Sequence, residues 1–211
     1  MYRKPQNTEK MFTFMRGFCS GGNYPETQQA LTYMRHQHEG QTRKDGEPYI
    51  GPPLSMACFA IGLGVRDDKL LAVILLHDVC EDTGVEAKDL PCSEEVKRGV
   101  DYMTIKPFPG EDKKVTKERY YRELLREIRS LLCKGFDRYN NLGTIEDLPE
   151  EAIVKNIRET HELLLPRLRE AKNLYPEYAN LLYVLRQVIQ TLNDSLAKAH
   201  HVELYHEEEL S

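Results

Sequence analysis

The chain has 211 residues, of which 40% are hydrophobic and 30% charged, and its formal net charge at pH 7 is −5. This length suits one domain with a sizeable core, and the acidic balance argues against a nucleic-acid-binding protein that works by bulk electrostatics. The sequence has no apolar run near the ~20 residues that cross a membrane. Five scattered cysteines without a CxxC pair, and no apolar segment after the basic start, favour buried free thiols in a reducing cytoplasm.

The hydrophobic periodicity predicts an all-α single domain of about eight helices, with no strand-like alternation and no internal repeat. In chain order the predicted helices cover residues 9–18, 25–38, 54–63, 69–83, a short segment after Ser93, 116–132, 149–165 and 176–199. Ser93 and Thr116 are predicted to cap the helices that follow them, and Asp147 with Glu150 matches a capping box. Pro166 predicts a kink or a break.

The stretch from Lys69 to Gly84, KLLAVILLHDVCEDTG, is the centre of the pattern. Its seven consecutive apolar residues predict a helix that is buried on all sides for two turns and whose carboxyl end faces something polar. Asp67 or Asp68 can cap its start, and Gly84 stands where a residue with positive φ ends a helix.

Four polar residues close this helix as two i,i+4 pairs, His77 with Glu81 and Asp78 with Asp82. On one helix these side chains project from neighbouring faces. One imidazole and three carboxylates at the end of an apolar helix need a positive partner, because they repel each other and are poorly solvated. A divalent cation is the simplest candidate.

Three stretches together resemble the HD-domain phosphohydrolases, specifically the hydrolase domain of the RelA/SpoT homologues and their small, hydrolase-only relatives. They are GQTRKDGEPYI (40–50), LLHDVCEDTG (75–84) and KGFDRYNNL (134–142). The resemblance covers roughly residues 28–145. A lone His-Asp doublet is weak evidence, but HDVCED on an apolar helix between the other two stretches is a specific pattern.

The resemblance implies an all-helical HD fold that binds one divalent ion, usually Mn²⁺, and removes the 3′-pyrophosphate from (p)ppGpp. The partner is then a small guanine nucleotide, with no nucleic acid and no membrane. Imidazole and carboxylate ligands suit such a cation. We expect residues 1–24 to be a helical extension, 25–165 the HD hydrolase core, and 166–211 a helix and tail that pack on the core.

The same resemblance implies a role for each matching residue. The metal ligands are His77, Asp78 and Asp137. The residues that orient or deprotonate the nucleophilic water, or protonate the leaving group, are Glu81 and Asp82. The residues that hold the nucleotide are Arg43, Lys44 and Asn141.

The chain departs from the family pattern at Pro52. The family has its first metal-binding His directly after YI-x, and proline offers no donor atom there. Three interpretations are open: the ion binds with three protein ligands and extra water, His36 or His38 replaces the missing imidazole, or the protein is a metal-free nucleotide-binding regulator. An HD phosphohydrolase for another nucleotide is a further alternative. A lost ligand should cost at least the ~10–100-fold in metal affinity that outer-shell changes cost.

Overall fold

The computed structural model describes residues 7–42, 46 and 48–204, and this part of the chain is mostly helical, which confirms the all-α fold. Its β structure within these residues is an isolated bridge between Thr42 and Pro48. None of the described helices is long and apolar enough to cross a membrane. The chain forms two compact units, the first ending at Lys106 and the second beginning at Pro107. The three segments expected from the sequence stay a prediction.

The first unit contains six helices within the described residues. They are α1 (Thr8–Gly22), α2 (Pro25–Gln37), α3 (Gly51–Gly62), α4 (Asp68–Leu76), α5 (Val79–Thr83) and α6 (Glu94–Met103), with a 3₁₀ turn at Ala87–Asp89.

Helix α4 is the core of the first unit, as its sequence predicts. Every residue from Leu70 to Leu76 is at most 1% exposed, and the helix packs against α2, α3 and α6. Gly99 lets α6 approach closely, because a Cβ there would stand 2.6 Å from Val73 Cγ2. Burying one large aliphatic side chain contributes about 1.5–3 kcal/mol, so α4 is the main apolar support of this unit.

The acidic pair before α4 caps two different helices. Asp67 accepts a hydrogen bond of 3.0 Å from the Leu70 N–H, which caps α4. The Asp68 carboxylate instead accepts the N–H groups of Glu26 and Thr27 at 3.0 and 2.8 Å, in the first turn of α2. The sequence left both residues open as caps of α4, and the structure assigns Asp67. Gly84 follows α5 with φ 73°, as predicted.

The second unit contains five α-helices within the described residues. They are α7 (Lys113–Glu123), α8 (Ile128–Leu142), α9 (Glu150–Glu159), α10 (Leu165–Leu174) and α11 (Ala179–Ala199), with 3₁₀ turns at Leu124–Arg126, Ile145–Asp147 and Pro176–Tyr178.

The predicted helix over 116–132 is wrong. Helix α7 begins earlier, where Asp112 accepts the Lys114 N–H at 2.8 Å, so Thr116 lies inside the helix and is not its cap. The backbone becomes extended at Glu127, with φ −134° and ψ 95°. Helix α8 then starts at Ile128 and continues through residues 134–142, which lie outside the predicted helices.

Two other cap predictions fail in detail. Ser93 holds the N-cap position of α6, but its hydroxyl makes no cap bond, and its N–H donates to the Glu26 carboxylate at 3.1 Å. Pro149 takes the N-cap position of α9 without a side-chain bond, so the capping box of Asp147 and Glu150 does not form.

The helix does not break at Pro166. A π-helical turn at Thr160–Leu164 joins α9 to α10, and Pro166 lies in the first turn of α10. Proline lacks an N–H and collides with the carbonyl four residues earlier, and a wider turn accommodates both defects.

All five cysteines are free thiols. Cys19 and Cys133 are buried as predicted, whereas Cys58, Cys80 and Cys92 are partly exposed. Burial raises the pKa of Cys80 and Cys92 to about 11. These thiols are therefore protonated at neutral pH and are poor nucleophiles.

Candidate active site

His77 is held in one tautomer at the end of α4. Its ring is 3% exposed, and its Nδ1–H donates to the Ile74 carbonyl oxygen at 2.9 Å. A carbonyl oxygen only accepts, so Nδ1 carries a proton, and in a neutral ring the lone pair lies on Nε2. A backbone carbonyl that fixes the far nitrogen is the usual arrangement for a metal-binding histidine.

Asp78 faces this lone pair. Its Oδ2 lies 3.0 Å from His77 Nε2, and its side chain is 48% exposed. A separation of 3.0 Å fits either a proton between the two atoms or a cation that both atoms bind. Two donors that share one ion at about 2.1 Å each stand roughly 3 Å apart when their bonds to it are perpendicular. The donor pair therefore fits a divalent cation.

The single helix predicted over 69–83 is wrong at this point. His77 and Asp78 form a turn between α4 and α5, and α5 resumes with the Asp82 N–H donating to the Asp78 carbonyl at 2.9 Å. His77 consequently pairs with its neighbour Asp78, which the i,i+4 pattern did not indicate. Glu81 lies on α5 and is exposed.

Asp82, also on α5, accepts a hydrogen bond that the sequence analysis missed. The Tyr49 hydroxyl donates to Asp82 Oδ1 at 3.1 Å. Partial burial raises the pKa of Asp82, and Tyr49, His38 and His77 oppose that rise. A raised pKa moves a carboxylate toward the range of a base that works near neutral pH. Tyr49 lies in GQTRKDGEPYI (40–50), one of the three stretches that resemble the family. That resemblance was the feature of the sequence that could have identified Tyr49 as part of the site.

Of the two histidines considered as substitute ligands, His38 lies beside this group. It is 5% exposed, its ring stacks on Tyr49 with centroids 5.2 Å apart, and its Nδ1–H donates to Gln41 Oε1 at 2.9 Å. His36 is exposed on α2. Substitution of the missing imidazole by either residue stays a prediction.

Pro52 is half-buried in the first turn of α3. Proline is well tolerated there because the N–H that it lacks would have no partner within the helix.

The predicted nucleotide-binding residues Arg43 and Lys44 lie outside the described residues, and their role stays a prediction.

Asp137 and Asn141 are brought together on α8, in the second unit. The Asn141 amide donates to Asp137 Oδ1 at 2.7 Å, and the Lys134 ammonium lies 2.8 Å from Asp137 Oδ2. Burial alone would lower the pKa of Lys134, but Asp137 and two neighbouring tyrosines raise it. Asp137 therefore pairs with the Lys134 ammonium, a contact that the spacing Lys-x-x-Asp could have indicated.

A buried polar cluster beside Asp137 was also missed. The Arg138 guanidinium donates to Glu159 Oε1 at 2.6 Å and to the Tyr121 hydroxyl at 3.1 Å. Tyr121 donates to the same oxygen of Glu159 at 2.9 Å, and Lys117 pairs with the other oxygen. Burial would raise the pKa of Glu159, but Arg138 and Lys117 hold it below its ordinary value. We therefore assign these residues to the core of the second unit.

The site residues thus fall into two sets. The first unit holds His77, Asp78, Glu81 and Asp82, and the second unit holds Asp137 and Asn141. Over the part of the chain that the structure describes, there is no group of three or more His, Cys, Asp or Glu side chains that could hold a metal ion. The three-ligand metal site therefore stays a prediction.

Comparison with known proteins gives a family match and related sequences. The HD-domain model matches residues 30–166. The chain is 34% identical over 147 residues to the bifunctional (p)ppGpp synthase/hydrolase SpoT of Escherichia coli (strain K12), covering 65% of this chain and 20% of that protein. It is 33% identical over 152 residues to guanosine-3′,5′-bis(diphosphate) 3′-pyrophosphohydrolase of Aquifex aeolicus, covering 67% and 21%.

A third relative is a probable GTP pyrophosphokinase of Mycobacterium leprae, 32% identical over 165 residues, which are 75% of this chain and 21% of that protein. The chain thus spans about a fifth of the length of the curated relatives that it matches.

Proposed function

Because the chain belongs to the HD-domain family, we propose that it is a metal-dependent phosphohydrolase that removes pyrophosphate from the 3′ position of (p)ppGpp. The observation that carries the proposal is the pair of His77 Nε2 and Asp78 Oδ2, 3.0 Å apart at the end of the buried helix α4. Related proteins named as (p)ppGpp pyrophosphohydrolases support the choice of substrate.

HD phosphohydrolases depend on a divalent metal. In the first unit His77 and Asp78 are the residues that would hold it, and the resemblance to the family adds Asp137 as a ligand. Their nitrogen and oxygen donors suit Mn²⁺. When bound, such an ion polarises a phosphoryl oxygen and lowers the pKa of water.

The remaining residues act on the substrate and on protons. Asp82, with its raised pKa and with Oδ1 held by Tyr49, takes a proton from the attacking water, and Glu81 orients that water or protonates the leaving group. Asn141 contacts the nucleotide, together with Arg43 and Lys44. The partner is a guanine nucleotide, and the site of action is the cytoplasm.

The test is release of pyrophosphate from ppGpp by the purified chain, with and without added Mn²⁺. Manganese-dependent release supports the hydrolase. Binding of ppGpp without release would contradict it and would indicate a nucleotide-binding regulator, which the proline at position 52 favours as the second candidate. If the protein released phosphate or pyrophosphate from a different nucleotide and not from ppGpp, it would still be an HD phosphohydrolase, but (p)ppGpp would be rejected as its substrate.

Pro52→His is expected to raise both Mn²⁺ affinity and turnover, because it returns an imidazole where the family has its first ligand. The expected gain in affinity is at least about tenfold, the lower end of what outer-shell changes cost. Isothermal titration with Mn²⁺ measures the affinity, and pyrophosphate release measures the turnover.

Pro52→Ala is the matched control, since it removes the same ring without adding a donor. Equal affinities for the two variants would show that position 52 lies outside the metal site.

A further inference from the structure

Tyr49 links the loop after α2 to the acidic end of α5. Thr42 and Pro48 form a bridge, and the Tyr49 N–H donates to the Gln41 carbonyl at 3.2 Å. From this backbone position the Tyr49 hydroxyl reaches Asp82 Oδ1 at 3.1 Å. A contact between residues 33 positions apart thus joins the two matched stretches of the first unit.

The Tyr49 ring is itself held in place. It stacks on His38 with an interplanar angle of 19°, and His38 is fixed by its bond of 2.9 Å to the Gln41 side chain. Gln41 therefore holds Tyr49 twice, through the backbone and through His38. A hydroxyl on a ring that is fixed in this way donates from one defined point.

Asp82 needs such a donor, because its side chain is largely exposed. A surface carboxylate samples several rotamers, and each rotamer sends its oxygens in a different direction. Proton transfer requires one orientation, and supporting hydrogen bonds that lock a functional side chain provide it.

We propose that Tyr49 is a positioning residue that holds Asp82 Oδ1 and so fixes the orientation in which this carboxylate acts on the substrate water. The proposal rests on the hydrolase function proposed above. Tyr49 acts through Asp82, and the stack with His38 supplies the rigidity.

Tyr49→Phe tests the proposal, because it keeps the ring and the stack and removes only the hydroxyl. Steady-state pyrophosphate release from ppGpp with Mn²⁺ should show kcat lowered about 10- to 100-fold, because a displacement of a catalytic group by about 1 Å can cost roughly 100-fold in rate. KM, Mn²⁺ affinity and the thermal unfolding midpoint should stay unchanged. Tyr183→Phe on α11 is the matched control, since Tyr183 is 54% exposed and far along the chain.

A double-mutant cycle separates positioning from a general structural effect. In the Asp82→Ala background, Tyr49→Phe should cause no further loss of the residual turnover. An equal loss of turnover in both backgrounds, or no loss in either, would overturn the proposed role of Tyr49. The proposed hydrolase function would not be affected by either result. A wild-type chain without turnover would overturn the proposed function and this inference together.

Discussion

Asp137→Ala is expected to abolish metal-dependent pyrophosphate release, with turnover lowered at least about 100-fold. The reason is that Asp137 is proposed to bind the metal directly, and losing such a ligand should cost more than the ~10–100-fold that is lost with residues that only support the ligands. The measurement is pyrophosphate release from ppGpp across a range of Mn²⁺ concentrations, with Mn²⁺ affinity from calorimetry as a second readout.

Asp137→Ala also has a structural effect, which the experiment must separate from the loss of a ligand. The substitution leaves the Lys134 ammonium without the carboxylate that lies 2.8 Å away. Removing one partner of a largely buried ion pair costs up to about 3 kcal/mol of unfolding free energy.

The double variant Lys134→Met/Asp137→Ala removes the unpaired charge together with the carboxylate. Its stability should return close to that of the wild type, while its turnover and Mn²⁺ affinity stay as low as those of Asp137→Ala. Recovery of turnover along with stability would remove Asp137 from the metal site and give it a structural role only.

Glu159→Ala is expected to lower the free energy of unfolding by about 3–5 kcal/mol, the usual cost of removing one partner of a buried ion pair. Glu159 is 13% exposed at its side chain and accepts from Arg138 and Tyr121, while Lys117 pairs with its second oxygen. All three donors lose the Glu159 carboxylate in the variant, while Arg138 keeps its hydrogen bond to the Asn156 side chain. Urea denaturation followed by circular dichroism measures the change.

Two further variants interpret this result. Glu151→Ala, an exposed glutamate at the start of α9, is the matched control and should change stability by less than about 0.5 kcal/mol. Arg138→Met/Glu159→Leu replaces the buried pair by apolar side chains and should cost less than Glu159→Ala alone. A Glu159→Ala variant as stable as Glu151→Ala would show that the buried cluster contributes no net stability.

The sequence indicated the residues of the candidate site but not all of their contacts. His77 and Asp78 stand out at the end of an apolar helix, whereas their direct contact arises in the turn between α4 and α5. Asn141 lies four residues after Asp137, and their hydrogen bond is a one-turn contact because α8 extends through a segment that the pattern did not predict as helix. Tyr49 and Asp82 are 33 residues apart, and no periodicity indicates that a hydroxyl and a carboxylate so distant will meet.

By itself the sequence determined that the fold is all-α and that residues 70–76 are buried, and its resemblance to the HD-domain phosphohydrolases indicated the family. The first two properties follow from composition and short-range spacing.

Only the tertiary structure decided which helix Asp68 caps, where the helix breaks at Glu127, and which donor holds Asp82. The physical reason is that a carboxylate accepts a hydrogen bond from whichever N–H or O–H group lies next to it once the helices are packed. Local propensity differs by less than 1 kcal/mol between most residues, so packing and hydrogen bonding between distant segments choose among the alternatives.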